Sequence, residues 1–195
     1  MARSSSDATR DRIVKAANSL FYGKGIRAVS VDAVAEKAGI TKKTLYYHFR
    51  SKDDLVASYL ASRDQPNLDA FAGYFDAAQG ALPERIRAIF TGIATAARHR
   101  RWKGCGFLRI AAELVDTPGH PAVKAAGAHK KRVEAWLTEI IAAEGLSGSD
   151  RLARQIMLLM DGAFSTMLVH HDVAYIESAG DAAATLLANA AREAR

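Results

Sequence analysis

Apolar residues recur three and four positions apart along most of the chain, the spacing of half-buried α-helices. Ile13, Ala16, Ala17, Leu20 and Phe21 predict a first helix over about 7–24, closed by Gly25. Ser30 reads as the N-cap of a short helix with the apolar line Val31, Val34, Ala35 and Ala38, ended by Gly39. Thr41 caps another, from Lys42 to Phe49, turned inward on Leu45 and Phe49. Ser51 caps the next, with Asp53 and Asp54 in its first turn, where carboxylates suit the helix dipole. Its apolar line is Leu55, Val56, Tyr59 and Leu60, and Pro66 is expected to end or kink it. Residues 67–79 carry a weaker helical pattern, and Gly80 to Pro83 is a break. Further helices follow over about 83–99, 107–114, 123–144, 150–171 and 175–193, about nine in all.

No alternating Val/Ile/Thr/Tyr run and no Asn-Gly hairpin interrupts this pattern. The one Asp-Gly, at Asp161-Gly162, falls inside a helical stretch. Alanine, the best helix former, supplies 39 of 195 residues. The fold class expected is all-α.

Charge changes the picture. The net charge is +6, and residues 1–65 hold 12 Lys and Arg against 7 Asp and Glu, a net of +5. A basic first third suggests an acidic polymer as partner, nucleic acid or a membrane surface. A single cysteine excludes an intrachain disulfide and a CxxC zinc site. No apolar run approaches the roughly 18 residues that span a bilayer, and Met1 to Asp7 lacks the apolar core of a signal peptide. The expectation is a cytoplasmic protein with no membrane partner.

The segment from Ser30 to Lys52, SVDAVAEKAGITKKTLYYHFRSK, joins two short capped helices through a turn at Gly39-Ile40. That is helix-turn-helix punctuation. Ala35 is small enough for two helices to cross closely, and Gly39 supplies the positive φ of a tight turn. With Leu45 and Phe49 facing inward, the second helix keeps a face of Thr41, Lys42, Lys43, Thr44, Tyr46, Tyr47 and His48. Cations, hydroxyls and aromatics stand there with no carboxylate between Thr41 and Lys52, which suits phosphates and base edges. The bland alternative is an ordinary helix corner.

Gly39 to Lys52, GITKKTLYYHFRSK, resembles the signature of the TetR-type transcriptional regulators. Ile13 to Phe21, Gly25 and Val31 to Ala38 stand at that family's usual spacings, so the resemblance covers about residues 7–60. It implies a recognition helix from Thr41 to His48. Lys42, Lys43 and Thr44 would reach bases and nearby phosphates, and Tyr46, Tyr47 and His48 would touch backbone or bases. Lys52 would bind a phosphate, and the Ser30 hydroxyl with its neighbouring amides would meet another. Lys42-Lys43 is more basic than in many members. The implied organisation is a three-helix DNA-binding domain over 1–52 and a helical ligand-binding and dimerisation domain over 53–195. The implied function is a regulator, most often a repressor, that binds a palindromic operator as a homodimer and is released by a small molecule. An activator and a ligand-independent regulator stay open as alternatives.

The second domain mixes bulky and small residues, which predicts a mainly apolar cavity for a lipophilic or aromatic effector. Its expected lining is Phe90, Ile93, Phe107, Ala111, Glu113, Trp136, Met157, Met160, Asp161 and Phe164; the same residues would also fill an ordinary core. Asp161 interrupts an apolar stripe and wants a partner, while Glu113 stands beside Ile110 and Leu114. The helix over 150–171 is apolar on more than one face, so one face is expected at a dimer interface. The interface residues expected are Leu152, Ile156, Leu159, Ala163, Met167, Ala183, Leu186, Leu187 and Ala190. Cys105 reads as a core residue, with a thiol sensor beside Arg101 and Lys103 as the alternative. His170 and His171 are adjacent and point to different faces, so no metal is expected, and no cofactor. Nothing resembles a nucleophile-base pair, a phosphate loop or a carboxylate dyad, so an enzyme is not expected.

Overall fold

The structure, a computed structural model, describes residues 5–193, Ser5 by its backbone only. Among them are nine α-helices and no strand: α1 (Ser5–Lys24), α2 (Val31–Ala38), α3 (Lys42–His48), α4 (Lys52–Ala77), α5 (Leu82–Ala97), α6 (Gly106–Glu113), α7 (Pro121–Ala143), α8 (Ser149–His170) and α9 (Ala174–Glu193). The helix boundaries lie within about two residues of those the apolar spacing predicts, with one exception. Pro66 does not end its helix: α4 runs through it for 26 residues. Proline removes one backbone bond and crowds the carbonyl four residues back, at a cost of about 3 kcal/mol. Burial on either side offsets this. Leu55, Val56, Tyr59 and Leu60 are buried before Pro66, and Phe75 after it, beneath the Arg85 guanidinium and edge-on to Trp136.

The chain forms two compact units, and they do not divide at 52/53. The first takes in the described residues up to Gln65 together with Gly106–Gly127; the second takes in Pro66–Cys105 and residues 128–193. Pro66 thus marks the division within α4. The helix α6, assigned from sequence to the second domain, belongs to the first unit, because Phe107 and Ile110 are buried there and Arg109 donates to the Tyr22 carbonyl at 2.9 Å.

The first core gathers Ile13, Ala17 and Phe21 of α1, Val34 of α2, Leu45 of α3, and Leu55, Tyr59 and Leu60 of α4. Phe21 and Tyr59 meet as tilted rings 5.8 Å apart. In the second unit α9 lies against both α5 and α8. Small residues set the spacing there: a Cβ on Gly180 would stand 2.7 Å from the Phe90 Cβ. By length and composition α8 could cross a membrane, an exception to the absence of such a run read from the sequence. It is a core helix, with Leu152, Ile156, Met160 and Phe164 buried, and it carries Arg151, Arg154 and Asp161.

Candidate nucleic-acid interface

Two caps and one turn build the interface. The Ser30 hydroxyl accepts the Ala33 N–H at 3.1 Å and starts α2. Gly39 ends it at φ 64°, ψ 41°, a left-handed conformation that costs a residue with a Cβ roughly 1–2 kcal/mol. From there the Gly39 and Ile40 N–H groups close back onto the Glu36 and Ala35 carbonyls at 3.0 Å each. The Thr41 hydroxyl then accepts the Thr44 N–H at 3.1 Å and starts α3. Leu45 and Phe49 are buried, which locks the rotation of α3 and turns its opposite face outward.

That face carries the residues the sequence pointed to. Thr41, Lys42 and Lys43 are exposed, Thr44 and His48 half-buried. Tyr46 is 45% and Tyr47 81% exposed. Tyr47, so little covered, adds almost nothing to the core and offers both ring face and hydroxyl to a partner. His48 stands edge-on to the Tyr47 ring at 5.2 Å. Ser30 is exposed and its hydroxyl, though accepting the cap bond, keeps a proton to donate.

The electrostatics differ in one respect from the sequence pattern. Asp32 of α2 reaches across to Lys42 of α3, carboxylate to ammonium at 2.9 Å, with both side chains more than half exposed. The hydrogen bond and the charge of Asp32 hold the Lys42 ammonium above its ordinary pKa. The acid missing from α3 is thus supplied by α2. A ten-residue separation across a turn becomes a contact only once the crossing of the two helices is known. Lys52 stands half-buried at the first position of α4. Its helix start is set by Ser51, whose hydroxyl accepts the Asp54 N–H, and by Asp54, which accepts the Arg50 N–H, each at 3.1 Å.

Glu113 has a different place from the one expected. Rather than lining a cavity, its carboxylate accepts the backbone N–H of Ile26 at 2.9 Å and of Arg27 at 3.2 Å. It pins the segment between α1 and α2 from the last residue of α6. Nothing in the sequence signals this, since the partners are main-chain groups 87 and 86 residues away.

The expected ligand residues do not share one unit. Phe107, Ala111 and Glu113 lie in the first; Phe90, Ile93, Trp136, Met157, Met160, Asp161 and Phe164 lie in the second. Asp161 has found a partner in Lys130, whose ammonium also stands 5.6 Å from the centre of the Phe164 ring. Beside this pair His129 is 2% exposed, and burial, reinforced by the Lys130 charge and opposed by Asp161, lowers its pKa to about 4.

The residues expected at a dimer interface divide by burial. Leu152, Ile156, Ala163, Met167, Ala183 and Leu187 are buried inside the second unit, and Leu159, Leu186 and Ala190 are half-buried. The outward stripe of α8 passes instead through Leu158 and Val169, 69% and 72% exposed, with Gly162 between them; Tyr175 at the start of α9 is 41% exposed. Cys105 is a buried thiol. The His170 ring stacks on Tyr175 at 4.7 Å.

Comparison with known proteins places the same residues in a family context. The family model for bacterial regulatory proteins of the tetR family matches residues 13–59. The HTH-type transcriptional regulator SrpR of Pseudomonas putida is 40% identical over 58 residues, 30% of this chain and 27% of that protein. The chain spans between about a quarter and a half of the length of the curated relatives it matches. Among solved structures the likeness extends nearly end to end. A chain from Streptomyces avermitilis described as a TetR transcriptional regulator is 30% identical, covering 90% of this chain and 97% of its own, with a TM-score of 0.75. A TetR-family transcriptional regulator from Streptomyces coelicolor is 28% identical, covering 94% and 96%, with a TM-score of 0.79.

Proposed function

The chain belongs to the TetR family of transcriptional regulators, and from that membership we propose that it is a cytoplasmic repressor acting as a homodimer on a palindromic operator. The observation that carries the reading is the outward face of α3, where Tyr47 is 81% exposed beside Lys42, Lys43 and Thr44. In this reading Lys42 and Thr44, at the start of α3, read base edges. Lys43, Ser30 and Lys52 hold phosphates, and Tyr46, Tyr47 and His48 touch the backbone or bases beside them. Lys42 must leave Asp32 to do so, which makes acid repulsion part of the selection against wrong sites.

Self-association uses the outward stripe of α8, Leu158, Gly162 and Val169, with the exposed side of α9. Apolar side chains on an outward helix face lose water by pairing with their own copy. A two-fold dimer sets two recognition helices near the roughly 34–36 Å of one DNA turn. A small effector in the helical second unit releases DNA by binding one separation of the two helices better than the other.

Footprinting on the DNA upstream of the chain's own gene tests the function. The expected result is protection of a palindrome that survives moderate salt. Salt-sensitive binding without sequence preference would overturn it.

A further inference from the structure

In the second unit, the segment 98–103 that follows α5 and the end of α8 enclose an open cleft of about 510 Å³, a volume within the range of small-molecule sites. Its apolar wall is Trp102, Met167 and Leu168. The indole is half-buried and backed by Phe164, ring centres 6.3 Å apart. Gly104, at φ 76°, rests on α8 so closely that a Cβ there would stand 3.2 Å from Leu168. His171, on the other wall, is held at φ 54°, the left-handed region where a residue with a Cβ is strained.

The charge of the cleft and its rim is positive. Arg98, Arg100, Arg101 and Lys103 bring four cations in six residues. Two carboxylates oppose them. Asp172 accepts the Ala174 N–H at 2.9 Å, and Glu177 takes Arg98 at 2.7 Å. Helices α5 and α8 end here and α9 begins beside Asp172 and Val173 of the lining, so two C-termini of roughly half a negative charge each meet one N-terminus of roughly half a positive charge. Four cations against these two carboxylates and about half a negative unit from the helix ends leave the cleft positive. That balance favours an anionic head over a neutral one.

We propose that this cleft binds a small amphipathic carboxylate, an aryl or acyl acid, its apolar body on Trp102, Met167 and Leu168 and its head group toward Arg100 and Lys103. That such an acid is the effector rests on the regulator reading above.

The probe is 1-naphthoate, compared with its neutral isostere 1-naphthamide, by titration calorimetry on the full chain. The chain has two tryptophans, so a Trp136→Phe variant leaves Trp102 as the fluorescent reporter. The expected result is saturable binding of naphthoate with quenching of Trp102, about tenfold tighter than naphthamide. Arg100→Gln/Lys103→Gln should weaken naphthoate about tenfold and leave naphthamide unchanged, with far-UV circular dichroism preserved. Equal affinity for acid and amide, no saturable binding, or naphthoate binding unmoved by the double variant would overturn the site. So would a loss of DNA affinity in that variant with naphthoate binding intact, which would give these cations to nucleic acid. If naphthoate binds as expected and DNA affinity does not change with it, the site stands and its regulatory role falls.

Discussion

Replacing Glu113 by alanine removes the acceptor of two backbone N–H groups in the segment between α1 and α2. The Ile26 N–H is partly buried, so leaving it unpaired costs about 1–3 kcal/mol. The Arg27 N–H is exposed, so water replaces the carboxylate at little cost. The expected loss is about 2 kcal/mol, against a total near 5–15 kcal/mol for an ordinary domain. Glu113→Gln keeps one acceptor oxygen and loses the charge, for about 1 kcal/mol. Gly25 provides a cross-check. It sits at φ 83°, and a Cβ there would stand 2.8 Å from the Glu113 Oε1. Gly25→Ala therefore costs about 1–2 kcal/mol for the backbone conformation and more for the clash. In a Glu113→Ala background the clash disappears, so the double variant should lose at least about 0.5 kcal/mol less than the two losses added. Urea unfolding measures the losses, and hydrogen exchange at the Ile26 amide, faster in Glu113→Ala, locates them. A loss under about 0.5 kcal/mol or strict additivity would refute the pin. Unchanged stability with a lost effector response would make Glu113 a ligand contact after all.

Lys52→Ala should weaken binding to all DNA sequences alike and lower the salt slope by about one. Asp32→Asn, which releases Lys42, should raise affinity several-fold at low salt; fluorescence anisotropy across salt concentrations reads both, and no change in Asp32→Asn would mean that the pair does not compete with DNA. Leu158→Glu/Val169→Glu should sediment as a monomer at micromolar concentration, whereas Ile156→Ala, a buried truncation, should cost about 2–5 kcal/mol and leave the folded protein's association intact. A dimer that survives the double charge substitution would remove α8 from the interface. His129 is held neutral by burial, with its pKa lowered to about 4. The unfolded chain takes up a proton near pH 6.5 that the folded chain refuses, so stability is full above pH 6.5 and falls as pH drops toward 4, by on the order of 3 kcal/mol. His129→Gln should flatten urea midpoints over that window; an unchanged pH slope would argue against the buried neutral ring.

Local chemistry was legible in the chain itself. Apolar spacing, the caps at Ser30 and Thr41, and the glycine at 39 each act within a few residues, so α1, α2 and α3 and the outward face of α3 follow from order alone. The same holds for the all-α class, because alanine and the 3.6-residue period need no distant partner. What depended on the crossing of helices was not legible. Asp32 meets Lys42, and Glu113 meets the Ile26 and Arg27 amides, because two elements cross at a particular angle, and no spacing rule encodes that angle. The faces of α8 make the same point. Period alone shows that the helix is apolar on more than one side, but which side is core was decided by where α9 lies, and it took Ile156 inward and left Leu158 outside. Pro66 is the converse case: a local rule for ending a helix gave way because burial on both sides of it outweighed one lost backbone bond. Secondary structure here is set by interactions a turn apart, whereas the partition into two units and the partner of each buried or charged group are set by a packing energy summed over residues distant in the chain.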